Sequence, residues 1–130
     1  MLSLSKKDID QLIKHAKAEL PNEACGLIAG KDNIAEIIYL MLNTDESRES
    51  YFMDPAEQLR VMKEIRNNNL EMIAIYHSHP ETRAYPSEHD VRLALYPDVS
   101  YIIISLQDEN NPEIKSFRII DGKIEEESLA

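Results

Sequence analysis

Apolar residues recur at helical spacing near the start of the chain, at Leu4, Ile9, Leu12, Ile13, Ala16 and Leu20, until Pro21 stops the run. Ser5 with Asp8 three residues later makes a capping-box pattern, so the spacing predicts a first helix that ends just before Glu23. Two apolar runs follow, 24–29 and 34–42, and the turn residues 30–33 between them predict a hairpin. Residues 43–50 are polar and predict a loop. Asp54-Pro55-Ala56-Glu57 then combines an N-cap aspartate, a proline at the first helical position and a glutamate three residues after the cap. The second helix started there is expected to bury Ala56, Leu59, Met62 and Ile65, and Asn67-Asn68-Asn69 ends it.

The second half of the chain is more strand-like. Residues 72–76 form an apolar run that predicts a buried strand, Ala84-Tyr85-Pro86 a turn, and 87–95 a short helix. Residues 99–106 predict a further buried strand, and 114–120 and 123–127 two more joined by the tight Asp121-Gly122 turn. Helices interspersed with hairpins predict an α/β sandwich, in which a central mixed sheet carries packed helices. The chain shows no internal repeat, low-complexity block or linker, so residues 1–130 are expected to form a single domain.

Composition narrows the partners. With 24 acidic and 14 basic residues the formal charge is -10, which argues against a nucleic-acid or anionic-membrane surface, because phosphate binding needs clustered lysine and arginine. No stretch approaches the roughly 20 apolar residues of a membrane span, and the first residues lack a signal-peptide core, so a cytoplasmic location is expected. A single cysteine, Cys25, excludes an intrachain disulfide and a Cys-rich zinc knuckle; a small buried hydrophobe is its expected role.

The densest chemistry lies in His77-Ser78-His79-Pro80 followed by Ser87 and Asp90. Successive strand side chains alternate faces, so His77 and His79 project to one side and can grip one ion. With Asp90 they supply three N/O ligands, the usual complement of a catalytic zinc, leaving the fourth position for water. Ser87 and Asp90 also fit a capping box, a reading compatible with a serine near the metal. His89 adjoins Asp90, but consecutive helical residues point about 100° apart, which assigns it to the surface or a rim. His15 is expected to be structural; Tyr51 and Phe52 are either core staples or contacts for an extended substrate tail.

The His-x-His pair, seven intervening residues and Ser-x-x-Asp, together with Pro21-Asn22-Glu23-Ala24-Cys25-Gly26 upstream, resemble the JAMM motif of the MPN+ metallopeptidases. The resemblance covers nearly the whole chain and looks like the compact bacterial or archaeal type. It implies a cytidine deaminase-like α/β/α fold and zinc as cofactor. It also implies cleavage after the C-terminal glycine of a ubiquitin-like protein, or of a sulfur-carrier protein with release of a small amino acid such as cysteine. Glu23 matches the family's general base, which a metal-activated water requires, and Ser87 its hydrogen-bond donor to the tetrahedral oxyanion. Glu81, Glu88 and Asp98 are rival bases outside the motif position. A metal-free binding scaffold is the alternative, against which the intact ligand set counts. A deaminase on the same fold would want a Pro-Cys-x-x-Cys pair that this chain lacks.

Overall fold

The computed structural model describes residues 2–130. Helix α1 (Lys6–Ala18) starts on the expected capping box: the Ser5 side chain accepts from the Asp8 amide, and the Asp8 carboxylate accepts from the Ser5 amide. Strands β1 (Cys25–Lys31) and β2 (Ile34–Met41) form the first hairpin. Asp32 and Asn33 make its tight turn with φ of 53° and 62°, the left-handed geometry that Asp and Asn tolerate best after glycine. Helix α2 (Pro55–Asn67) is capped by Asp54 with Pro55 in its first turn. Strand β3 (Glu71–His79), helix α3 (Glu88–Arg92) and strands β4 (Ser100–Ser105), β5 (Glu113–Ile120) and β6 (Lys123–Glu127) complete the chain.

The strands form one six-stranded sheet in the order β2-β1-β3-β4-β5-β6, antiparallel except where β3 pairs with β4. A parallel pair needs a crossover, and residues 80–99, including α3, supply it. Side-chain alternation gives the sheet two buried faces. On one, Ile28, Tyr76, Ile102 and Ile104 pack with Leu12 and Ala16 of α1; on the other, Leu27, Ile75, Ile103 and Phe117 pack with Val61 and Ile65 of α2. This is the mixed α/β sandwich expected from the sequence. His77 and His79 continue the Ile75 face and therefore emerge on the side of α2 and α3, whereas Ser78 faces the other way. Gly26 is required where it stands: a Cβ would lie 2.2 Å from the Tyr76 ring and 2.4 Å from the Tyr39 carbonyl oxygen.

Two expectations are corrected. Helix α2 buries Val61 and Ile65, while Ala56 and Leu59 face solvent. It carries more apolar residues than one face can cover, and docking on the sheet selected an i,i+4 pair rather than the i,i+3 row. Helix α3 ends at Arg92, short of Leu95, because the chain must turn back into β4.

Candidate active site

The C-terminal end of β3 delivers two imidazoles to one point. His77 Nε2 and His79 Nε2 lie 3.1 Å apart, and Asp90 Oδ2 lies 3.1 Å from the first and 3.0 Å from the second. All three side chains are buried. Asp90 reaches the cluster because α3 begins there with a complete capping box: Ser87 Oγ accepts from the Asp90 amide at 3.1 Å, and the Ser87 amide donates to Asp90 Oδ2 at 2.9 Å. A carboxylate oxygen has two lone-pair sites, so Oδ2 both caps its own helix and faces the histidines.

Two different devices orient the imidazoles. His79 Nδ1 lies 2.9 Å from the Arg83 carbonyl, an acceptor only, so Nδ1 carries a proton and Nε2 is the ring nitrogen turned to the cluster. His77 has no such partner: its Nδ1 is buried and unbonded, and the ring is held by stacking on Tyr51 at 4.8 Å and 26°.

The electrostatics of the cluster call for a cation. Burial pushes His77 down from the ordinary histidine range, against the raising influence of Asp90. Burial works to raise Asp90, but the charge of His77 and hydrogen bonds from His77, His79 and the Ser87 amide hold it well below the usual carboxylate range. Three candidate ligand atoms therefore converge on one point, where a single cation would accept a lone pair from each. The donor set also fits: two imidazoles and one carboxylate converge, with all ligand atoms within 4.8 Å of one another.

Glu23 stands beside this cluster, buried between α1 and β1. Its amide donates to the Ser47 carbonyl at 2.7 Å, and its own carbonyl accepts from Asn43 Nδ2 at 3.0 Å. Its Oε1 is buried without a partner. Burial first, then the charges of Asp90 and Glu49, push its pKa up to about 9. Glu23, His79 and Ser87 line a cavity of about 540 Å³. Glu81 and Glu88 reach its rim but are exposed, and Asp98 lies away from it. His89 also lies at the rim, consistent with its helical position. His15 is buried in the opposite layer, its Nδ1 2.8 Å from the Tyr76 hydroxyl.

Two contributors escape sequence reasoning, and Tyr51, expected as a core staple or a substrate contact, takes a further role. Buried Asn43 donates to the carbonyls of Glu23 and Ser50 and accepts from the amides of Asp45 and Phe52, thereby folding the 43–52 loop against Glu23. Ser78 Oγ accepts from the Ala24 amide at 2.7 Å, joining the histidine strand to the residue after Glu23. Tyr51 belongs to the site as the stacking partner of His77, whereas Phe52 is exposed. A polar residue within a loop, or a serine between two ligands, was the only signal available.

A buried His-His-Asp cluster that could hold a metal ion stands, with a neighbouring glutamate, at the end of a central strand in a mixed α/β sandwich. Residues 5–120 match the family of prokaryotic homologues of the JAB domain. The CysO-cysteine peptidase of Mycobacterium tuberculosis is 38% identical over 123 residues, 93% of this chain and 84% of the relative. The desampylase of Haloferax volcanii is 31% identical over 111 residues, 80% of each chain. A solution structure of a protein from Desulfitobacterium hafniense superposes with a TM-score of 0.90 at 42% identity, covering 100% of this chain and 92% of that one. The chain belongs to the compact prokaryotic JAMM/MPN+ family.

Proposed function

We propose that this chain is a zinc-dependent peptidase that hydrolyses the bond after the C-terminal glycine of a ubiquitin-like or sulfur-carrier protein. Its family membership and its named relatives, a CysO-cysteine peptidase and a desampylase, make it a metallo-isopeptidase by class. The observation that carries the reading is the convergence of His77 Nε2, His79 Nε2 and Asp90 Oδ2 beside an unpartnered buried Glu23. His77, His79 and Asp90 would hold the zinc. When bound, the ion supplies Lewis acidity toward the scissile carbonyl and lowers the pKa of water.

The remaining roles fall to the chain's own side chains. Glu23 takes the proton of the attacking water and hands it to the departing amine; the positive charge of an ion beside it would favour its ionised form, the state a base needs. Ser87 accepts the Asp90 amide with its oxygen and keeps its own hydroxyl proton free to donate to the oxyanion. The chain acts as one domain at a cytoplasmic location, in keeping with a single free cysteine.

The test pairs metal analysis with turnover. Purified protein should carry about one zinc per chain, which His77→Ala with His79→Ala abolishes. Glu23→Gln should retain the metal while cleavage of ubiquitin-like fusions, read by mass spectrometry at the junction, falls roughly 10²–10⁴-fold. Zinc lost with Glu23→Gln would make Glu23 a ligand and overturn the assignment of base.

A further inference from the structure

Glu23 lies outside regular structure, between the end of α1 at Ala18 and the start of β1 at Cys25, so neither a helix nor a strand ladder aims its side chain. Its Oε1 is buried without a partner among the described residues. The direction of the carboxyl group is therefore set by the backbone on each side of its Cα. The Glu23 amide donates to the Ser47 carbonyl at 2.7 Å, which holds the preceding peptide plane. The following plane is held at both ends: Asn43 Nδ2 donates to the Glu23 carbonyl at 3.0 Å, and the Ala24 amide donates to Ser78 Oγ at 2.7 Å. Because a peptide unit is planar, fixing both planes fixes φ and ψ of Glu23 and with them the direction of its Cα–Cβ bond.

Asn43 acts on both planes. Its Nδ2 also donates to the Ser50 carbonyl at 3.1 Å, and its Oδ1 accepts from the amides of Asp45 at 3.0 Å and Phe52 at 3.1 Å. These bonds close the 43–52 loop, and the loop carries the Ser47 carbonyl that holds the Glu23 amide. A primary amide offers two donors and two acceptor lone pairs, and all are used here. Aspartate has the acceptors without the donors, and serine has a single donor. A buried polar group satisfied in this way specifies one geometry.

On the reading in which Glu23 is the base, we infer that Asn43 is its positioning residue: its side-chain amide sets both peptide planes of Glu23 and so holds the carboxyl group where it moves the proton between water and amine. The nitrogen reaches Glu23 directly, and the oxygen shapes the loop that reaches it through Ser47. Asn43→Asp keeps the acceptors but turns an oxygen toward the Glu23 and Ser50 carbonyls, so both ties fail. Thr44→Val is the companion variant. It removes the bond from Thr44 Oγ1 to the Phe52 carbonyl at 2.8 Å, loosening the same loop without touching Glu23.

The experiment uses the full chain at saturating zinc and a ubiquitin-like protein ending in Gly-Gly fused to a short peptide. Asn43→Asp should lower kcat about 10- to 100-fold with KM and zinc content unchanged, the effect of displacing a reacting group by about 1 Å. Thr44→Val, at an exposed position, should stay within about twofold of wild type. In the Glu23→Gln background Asn43→Asp should cost little further, because the group it positions is gone. Amide exchange of the metal-free chain gives a readout apart from turnover: the Glu23 amide should exchange about tenfold faster in Asn43→Asp, with the core amides of β3 and β4 unchanged. Asn43→Ser carries the same expectations should a buried aspartate prevent folding. Equal loss of kcat in the wild-type and Glu23→Gln backgrounds, or wild-type exchange at the Glu23 amide, overturns this inference and leaves Glu23 as the base. Near-wild-type turnover by Glu23→Gln overturns the assignment of base and this inference with it.

Discussion

His77 and His79 sit two residues apart on one strand, yet each is fixed by a different contact. A ligating histidine ordinarily donates its second ring nitrogen to an oxygen, which sets both tautomer and ring plane. His79 does so through the Arg83 carbonyl, but His77 Nδ1 has no partner, and the Tyr51 ring stacks on the face of its imidazole. Tyr51→Phe keeps the stacking face and should bind zinc like wild type in chelator competition. Tyr51→Leu removes it and should weaken zinc by about tenfold, the upper worth of an aromatic pair. Wild-type affinity in the leucine variant would show that burial alone orients His77. At this scale the convergence of the candidate ligands was legible in the sequence because strand periodicity and a short spacing are local facts. Tyr51 and Asn43 were not, because they act on His77 and Glu23 across 20 residues or more of chain.

Among the elements, α3 shows how a few residues serve structure and chemistry together. Its capping box aims the Asp90 carboxylate at the histidines and leaves the Ser87 hydroxyl proton uncommitted. As a cap, Ser87 should be worth about 1 kcal/mol, lost in Ser87→Ala and restored in Ser87→Asp, whose carboxylate can accept the same amide. As an oxyanion donor it should be irreplaceable by either: kcat should fall on the order of 10²-fold in Ser87→Ala and further in Ser87→Asp, which sets a negative charge against the developing one. Denaturant unfolding and steady-state cleavage on zinc-loaded protein separate the two. Full activity in Ser87→Asp would reduce this serine to a helix cap. Most elements were legible through their ends: capping boxes at Ser5 and Ser87, Pro55 after Asp54, and Asp121-Gly122 with φ of 51° and 79°. The buried face of α2 was not, since Leu59 and Val61 both satisfy a helical period and only the sheet decides between them.

For the whole molecule, strand order and the parallel β3–β4 pairing depend on contacts between distant segments, which no local pattern encodes. The β6 edge illustrates such a contact. Glu127, at the end of β6, accepts from Ser100 of β4, from Ser116 Oγ of β5 at 2.8 Å and from Arg118 Nε at 3.2 Å, so one carboxylate ties three strands. Burial works to raise its pKa, but the hydrogen bonds from Ser100, Ser116 and Arg118, with the charge of Arg118, outweigh it and leave the net shift downward. The sign of the linkage follows. A folded-state pKa below the unfolded value of about 4.3 gives stability that is present above that value and lost as pH falls through the folded pKa. Glu127→Gln keeps the shape, removes the charge, and should cost about 1–2 kcal/mol at pH 7, a fraction of the worth of hydrogen bonds to an ionised acceptor. All other carboxylates are common to both proteins and cancel in the difference. The gap between wild type and Glu127→Gln, measured by urea unfolding, should therefore narrow as pH drops below about 4. A gap of the same size at pH 3 and pH 7 would mean that shape, rather than the ionised carboxylate, holds this edge of the sheet.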